Sequence, residues 1–431
     1  MRKFLMTATV IAATGLVATN ALAQGIPSVP VTTDSFSAGR ANSAPPAPGT
    51  VTVTLRTQLW SDIGYGSDSG SRNTTAAGTS KSQGFQVQEY LRLYPRMDGV
   101  AANGLQYGAA AQIRQNSGAN GGTAGNTLFV RNAASYIGLP TVGKLYVGQA
   151  SGALAAFMVG TLEGIDVNGG WNGDAPDFLN GNTQLGWLQP EDGGTYTTNK
   201  IVYISPKFAG FDFGASFEPS YATAIDQCGT VANVGCANAS SVPGGVQTRK
   251  NTFDVGARYT GSFGPAALVV EGGYWGSGVV GNSTTAQAFK GISLIDAGAQ
   301  VSAYGFLVGI HYDGGTISGN GYQPMRAGTK HEEAFIGGVQ YTTGTVTGGV
   351  QLISQVSAGN FVSAAGYKGG LKETGVAIGG AWDYASGASA YATLLYGHKH
   401  QNNIDLLNGG NSALHNSTDA RVVAIGNVFR W

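Results

Sequence analysis

The chain has 431 residues, 24 basic and 24 acidic, and charged residues make up only 11% of it, against a typical value of about 25%. Near-neutrality argues against a nucleic-acid partner. Such a weakly charged chain with 69 glycines could be disordered, but 42% hydrophobic and 10% aromatic content point to a folded body.

In chain order, the first element is an address. Arg2 and Lys3 precede an apolar run from Phe4 to Val17, and Ala21-Leu22-Ala23 fits an A-x-A cleavage site. Residues 1–23 therefore read as a signal peptide, with a mature start at Gln24. The run is too short for a membrane anchor, and no stop-transfer pattern follows it. Losing Arg2 and Lys3 leaves the mature chain slightly acidic. Residues 24–49, with Pro45, Pro46 and Pro48, show neither helical nor strand period and read as a Pro/Ser-rich lead-in. No later segment approaches the ~18 consecutive apolar residues of a membrane helix.

From Thr50 to Trp431 one pattern recurs. In 50–60 the odd positions are Val51, Val53, Leu55, Thr57 and Leu59, and the even ones Thr52, Thr54, Arg56, Gln58 and Trp60. In 84–96 the even face carries Gln86, Gln88, Tyr90, Arg92 and Tyr94, and in 104–115 it carries Gln106, Gly108, Ala110, Gln112 and Arg114. Period two with one apolar face is a sheet split between two media. Glu89 interrupts the apolar face, at a boundary or in a subunit contact. Further strands are expected at about 128–140, 143–150, 199–207, 211–219, 250–262, 266–277, 292–304, 306–316, 332–343, 346–356, 367–384, 389–398 and 418–431, sixteen in all.

Connections alternate in length. Long polar stretches fall near 61–83, 116–127, 151–198, 220–249, 278–291, 317–331, 357–366 and 399–417; short ones include Thr141-Val142, Phe263-Gly264-Pro265, Gly305 and Gly344-Thr345. A transmembrane antiparallel β-barrel with long extracellular loops and short periplasmic turns produces this asymmetry. A sheet edge in lipid would leave backbone groups unpaired, so a spanning sheet must close. At about sixteen strands, side chains cannot fill the lumen and a water channel remains. Aromatics such as Trp60, Tyr94, Tyr107, Tyr136, Tyr203, Trp275, Tyr341, Trp382, Phe429 and Trp431 are expected in girdles at the membrane interfaces.

Three segments carry a resemblance. Arg131 to Leu139 followed by Gly143-Lys144-Leu145-Tyr146-Val147-Gly148-Gln149 resembles the fourth and fifth strands of Gram-negative general porins. Asn199 to Phe211, with its Tyr203, Ser205-Pro206 and Gly210, is similar to another step of that family. The chain ends in an aromatic, Trp431, where porins most often end in Phe. Gln149 stands where the family usually has Arg. The resemblance implies a homotrimer of sixteen-stranded barrels, each with its own pore, in the outer membrane among lipid and lipopolysaccharide. It also implies that the third long loop, here 151–198, folds inward and narrows the bore.

That loop holds Glu163, Asp166, Asp174, Asp177, Glu191 and Asp192 and no Lys or Arg. The strands before it offer Arg56, Arg92 and Arg114 on the even face, and Arg131 with the parity of Ala133 and Ser135. The expectation is a constriction with a basic wall of Arg56, Arg92, Arg114 and Arg131 facing an acidic loop, with Glu163 and Asp166 first, then Asp174 and Asp177. Opposed charges across a narrow ring order water and tune ion preference. The competing readings are a solvated loop, a calcium site on the cell face, and arginines that snorkel to an interface.

Cys228 and Cys236 suit a small-loop disulfide in an oxidising compartment, with a metal site as the weaker alternative. His398-Lys399-His400 and His331-Glu332-Glu333 mark no hydrolase site, no P-loop is present, and neither catalysis nor a cofactor is expected. The expected function is a general diffusion porin for small hydrophilic solutes and ions. The alternatives are a substrate-specific channel for sugars or anions and, more remotely, a surface adhesin.

Overall fold

The computed structural model describes residues 46–69, 72–75, 78–81, 84–115, 128–179, 183–185, 198–220, 248–280, 289–318, 324–360, 367, 369–407, 410 and 414–431. The expected signal peptide, nearly all of the lead-in, Glu191, Asp192 and both cysteines lie outside them.

Sixteen antiparallel strands form one closed barrel. They are β1 (Thr50–Asp68), β2 (Phe85–Val100), β3 (Gln106–Gln115), β4 (Leu128–Leu139), β5 (Gly143–Gln149), β6 (Asn199–Ile204), β7 (Phe211–Ser220) and β8 (Thr248–Phe263). The second half is β9 (Ala266–Val280), β10 (Ser293–Ala303), β11 (Phe306–Thr316), β12 (Glu332–Thr343), β13 (Val346–Ser357), β14 (Leu371–Ala385), β15 (Ala388–His400) and β16 (Ser417–Arg430). Each strand pairs with its sequence neighbours, and β16 closes on β1 through Leu59 opposite Phe429. Every strand edge is thereby consumed, as a spanning sheet requires.

The alternation read from the sequence is the alternation of the wall. In β16, Thr418, Ala420, Val422, Ala424, Gly426 and Val428 are buried on the inside, while Val423, Ile425 and Phe429 are exposed on the outside. Outward ring pairs mark two belts. Phe306–Tyr341 and Phe211–Tyr259 lie at the short-turn rim, and Tyr312–Phe335 and Phe253–Tyr274 near the long-loop rim. Six residues separate Phe306 from Tyr312 along β11, roughly 20 Å at a strand rise of ~3.4 Å, the scale of an outer-membrane apolar band. Four aromatics expected in the girdles face the bore instead: Trp60, Tyr94, Tyr136 and Trp275 are all buried inside. Glu89 faces outward, opposite Ser61 of β1.

The short connections share one rim with the C-terminal end of β16, where the Arg430 amide donates to the Gly387 carbonyl in the β14–β15 turn. The β10–β11 turn consists of Tyr304 and Gly305 alone, both at positive φ (52° and 84°). That is the type I′ geometry whose twist matches a hairpin.

Candidate functional site: the pore constriction

The segment after β5 lies inside the barrel. It begins with α1 (Ala153–Phe157), whose N-terminal turn is fixed by Asp254 of β8: its Oδ1 accepts from the Leu154 amide at 3.1 Å. The Gly160 amide then donates to Gln300 of β10 at 3.3 Å. The loop continues past β12 and β13 through a turn at Glu163–Ile165 and past β14 and β15 through a turn at Gly170–Asn172. A last turn, Ala175–Phe178, sits against β16 and β1. From Ala153 to Phe178 the segment thus travels the inner wall the long way round to reach β2, and Leu185 lies back against β14 and β15.

Two features of the strands make room for it. First, the lumen face under the loop is apolar. Leu162, Ile165, Trp171, Phe178 and Leu179 pack on Ile336, Ile353, Ala377, Leu395, Val422 and Ala424 as one buried cluster. This explains why β16 reads apolar on both faces in its middle. Second, inward positions beneath the loop are glycine. A Cβ at Gly64 would lie 2.6 Å from the Phe178 ring, at Gly397 2.8 Å from the Trp171 ring, and at Gly349 2.8 Å from Ile165. The close approach of loop to wall therefore depends on absent side chains. Polar anchors fix the register along the way. Trp171 donates its amide to Gln351 at 3.1 Å and its indole N–H to the Val376 carbonyl at 3.0 Å, and Gln351 donates to the Thr161 carbonyl at 3.0 Å.

Across the bore stand β1, β2 and β3 with their inward arginines. Arg92 is directly opposite Arg114 in the β2–β3 register. Two like charges side by side repel, and each is held separately. Arg92 donates to both carboxylate oxygens of Asp174 at 3.0 Å and lies over the Tyr90 ring at 4.8 Å and the Trp60 ring at 5.9 Å. Tyr90 donates its hydroxyl to the same carboxylate. Arg114 donates twice to the Gln112 side-chain oxygen at 2.9 Å, once that amide is oriented to satisfy both groups. Arg56 is half-buried on β1, opposite Tyr94. Further toward the short-turn rim, Arg96 pairs with Asp98 at 2.7 Å and Tyr136 donates to Asp98.

Of the acidic residues expected at the constriction, the two placed first are structural. Asp166 is 3% exposed. It accepts from the Asn168 and Gly169 amides at 2.7 and 2.6 Å and from the Thr393 hydroxyl of β15. Burial pushes its carboxyl above the usual range, and these donors oppose that shift. Glu163 is buried too and accepts from the Asn172 amide group at 2.6 Å. Both hold the loop to the wall and to itself. Asp174, placed second, is the loop carboxylate that reaches the basic wall, and Asp177, placed with it, lies three residues on in the same turn. Asp177 is exposed to the bore, and partial desolvation, aided by the Asp174 charge, pushes its carboxyl up to about 6.

Arg131 departs from the parity argument. Ala133 and Ser135 are exposed on the outside, while Asn132, Ala134 and Tyr136 are buried inside. The β3–β4 register jumps here: Gln112 pairs with Asn132 and Ile113 with Val130. Arg131 is the extra residue of that β-bulge, which removes it from either face's simple alternation. The sequence reading missed Trp60, Tyr90 and Tyr94, the aromatic bed and hydroxyl partners of the arginines. Their even parity with Arg92 was the available signal.

The family model described as Gram-negative porin matches residues 7–403. No curated protein matches. Among solved structures, a porin refined at 1.8 Å is 15% identical, with a TM-score of 0.51, covering 88% of this chain and 100% of its own. A triple mutant of Rhodopseudomonas blastica porin is 13% identical, with a TM-score of 0.49 and the same two coverages. With a match over most of its length and a closed sixteen-stranded barrel, the chain belongs to the Gram-negative porin family.

Proposed function

We propose that the place where the inner loop meets the β1–β3 wall borders the selectivity constriction of a general diffusion pore. As a Gram-negative porin, the protein sits in the outer membrane and lets small hydrophilic solutes and ions pass passively. The observation that carries the finer reading is the Arg92–Asp174 pair at 3.0 Å, where the middle of the loop meets the basic wall. Arg114 on one side and Asp177 on the other extend the same polarity. Positive charge on the strands and negative charge on the loop set a field across the bore. A polar solute can align in that field, while an apolar one must shed ordered water to pass.

Cleavage after Ala23, assembly as a homotrimer and contact with lipopolysaccharide belong to the same proposal, supported by the N-terminal pattern and the porin resemblance. No catalytic step enters it.

Liposome swelling with neutral sugars of increasing size, and with anionic and cationic solutes of matched size, tests the reading. The expected result is a rate that falls smoothly with size and does not saturate. Saturable flux for one solute class would overturn it in favour of a substrate-specific channel.

A further inference from the structure

On the wall beneath the first part of the loop, β9, β10 and β11 bring Glu271, Asp296, His311 and Asp313 into one water-excluded cluster, each residue 3% exposed or less. The His311 Nε2 lies 3.1 Å from Asp296 Oδ2 and 3.5 Å from Asp313 Oδ2. Its Nδ1 lies 3.2 Å from Glu271 Oε1 and 3.1 Å from the Val159 carbonyl of the loop. None of the six carboxylate oxygens makes a hydrogen bond of good geometry, and neither does Nε2. Glu332 of β12, 1% exposed, has two further buried oxygens in the same condition.

Three carboxylates surround one imidazole, so the cluster is neutral only when carboxylates take up protons or a cation enters. Even a fully protonated imidazole offsets only one of the three carboxylates around it. A divalent cation compensates the carboxylates in their ionised form, which burial otherwise disfavours. We propose that this cluster binds one divalent transition-metal ion of the zinc type, a site separate from the constriction charges.

The donor chemistry selects that class. Donor atoms of Glu271, Asp296 and His311 lie within 4.8 Å of one another, and Asp313 offers a fourth. Imidazole with carboxylate suits zinc-like ions, whereas calcium and magnesium favour all-oxygen sets. A tetrahedral ion with bonds of about 2.0–2.2 Å draws its donors to roughly 3.3–3.6 Å apart, a closing of about an ångström. The histidine is already oriented for it. Nδ1–H donates to the Val159 carbonyl, which leaves Nε2 without a proton and 3.1 Å from Asp296; a backbone carbonyl commonly fixes a metal-ligating ring in this way. The close packing of the donors and of Val159 depends on a glycine. A Cβ at Gly298 would stand 2.5 Å from Glu271 Oε1 and 2.9 Å from His311 Nδ1. Because Val159 belongs to the loop, the bound ion would also pin the loop's first stretch to the wall.

The test uses the full protein in detergent, freed of lipopolysaccharide and stripped with a chelator. It is then dialysed against zinc chloride and its metal content is measured by mass spectrometry. The expected result is one zinc per chain and a zinc-dependent rise in melting temperature. Both should be lost in His311→Gln and Gly298→Ala and kept in Asp254→Asn, whose carboxylate serves α1 instead. Heat-modified gel mobility checks that each variant is folded. If His311→Gln does not fold, cobalt substitution of the unaltered protein replaces it. Absorption bands of a tetrahedral imidazole–carboxylate site are then expected. Absence of stoichiometric zinc in the unaltered protein, retention of zinc by folded His311→Gln, or binding of calcium but not zinc would each overturn the proposal. None of these outcomes bears on the swelling rates that test the pore itself.

Discussion

Arg92 and Asp174 lie 82 positions apart and meet at 3.0 Å, the arginine from the barrel wall and the aspartate from the middle of the inner loop. The loop must run around most of the inner circumference before it can present Asp174 there. Whatever holds it along the way therefore sets the constriction.

The glycine shelf is the first such device. A side chain at position 64 would strike the Phe178 ring, since even a Cβ comes within 2.6 Å. Gly64→Val should lift the Ala175–Phe178 turn and draw Asp174 off Arg92. Overpacking of this kind costs about 1–3 kcal/mol. Single-channel recordings should show larger, noisier conductance than the unaltered pore, with the barrel's circular dichroism unchanged. Conductance identical to the unaltered pore would remove the shelf from the account.

Asp166 is the second. Its carboxylate satisfies two loop amides and the Thr393 hydroxyl in a buried setting. Asp166→Ala leaves those donors unpaired, each at about 1–3 kcal/mol. The loop should become cleavable by added protease near Gly169 and Gly170 while the strands stay intact. The direction of ion preference should persist, because Asp166 does not face the bore.

Asp177 gives a pH dependence. With its carboxyl pushed up to about 6, it is neutral below that pH and negative above it. Lowering the pH from 7.5 to 5 therefore removes one negative charge from the loop side and moves selectivity toward anions. Raising it again reverses the shift. Asp177→Asn should flatten this step in a titration of reversal potential. A step that persists in the variant would assign it to another group.

The barrel was legible because lipid and water divide each strand between them, so period two survives wherever a strand spans. Alternating loop lengths revealed the closure for a related reason: one rim turns in two to six residues, with two at Tyr304-Gly305, and the other does not. The inner loop was harder to read. Its order of carboxylates along the chain says nothing of its path around the wall, so Glu163 and Asp166 looked as available as Asp174. Arg131 misled because a one-residue bulge inverts the parity and leaves no mark in composition. Trp60 and Trp275 read as girdle residues because an aromatic near a strand end serves either face. The glycines beneath the loop showed only as an excess of one residue type, since what they accommodate lies far away in sequence.

Reversal potentials across planar bilayers test the central claim most directly, that the loop carboxylates and wall arginines that meet at Asp174 and Arg92 border the narrowest part of the bore. Removing one unit charge about 6 Å from a passing ion in water changes its energy by ~0.7 kcal/mol, roughly three-fold in permeability ratio. Arg92→Ala should shift the potential toward cation preference by that order, and Asp174→Asn toward anion preference. Shifts of the same sign in both variants, or no shift in either, would contradict the claim.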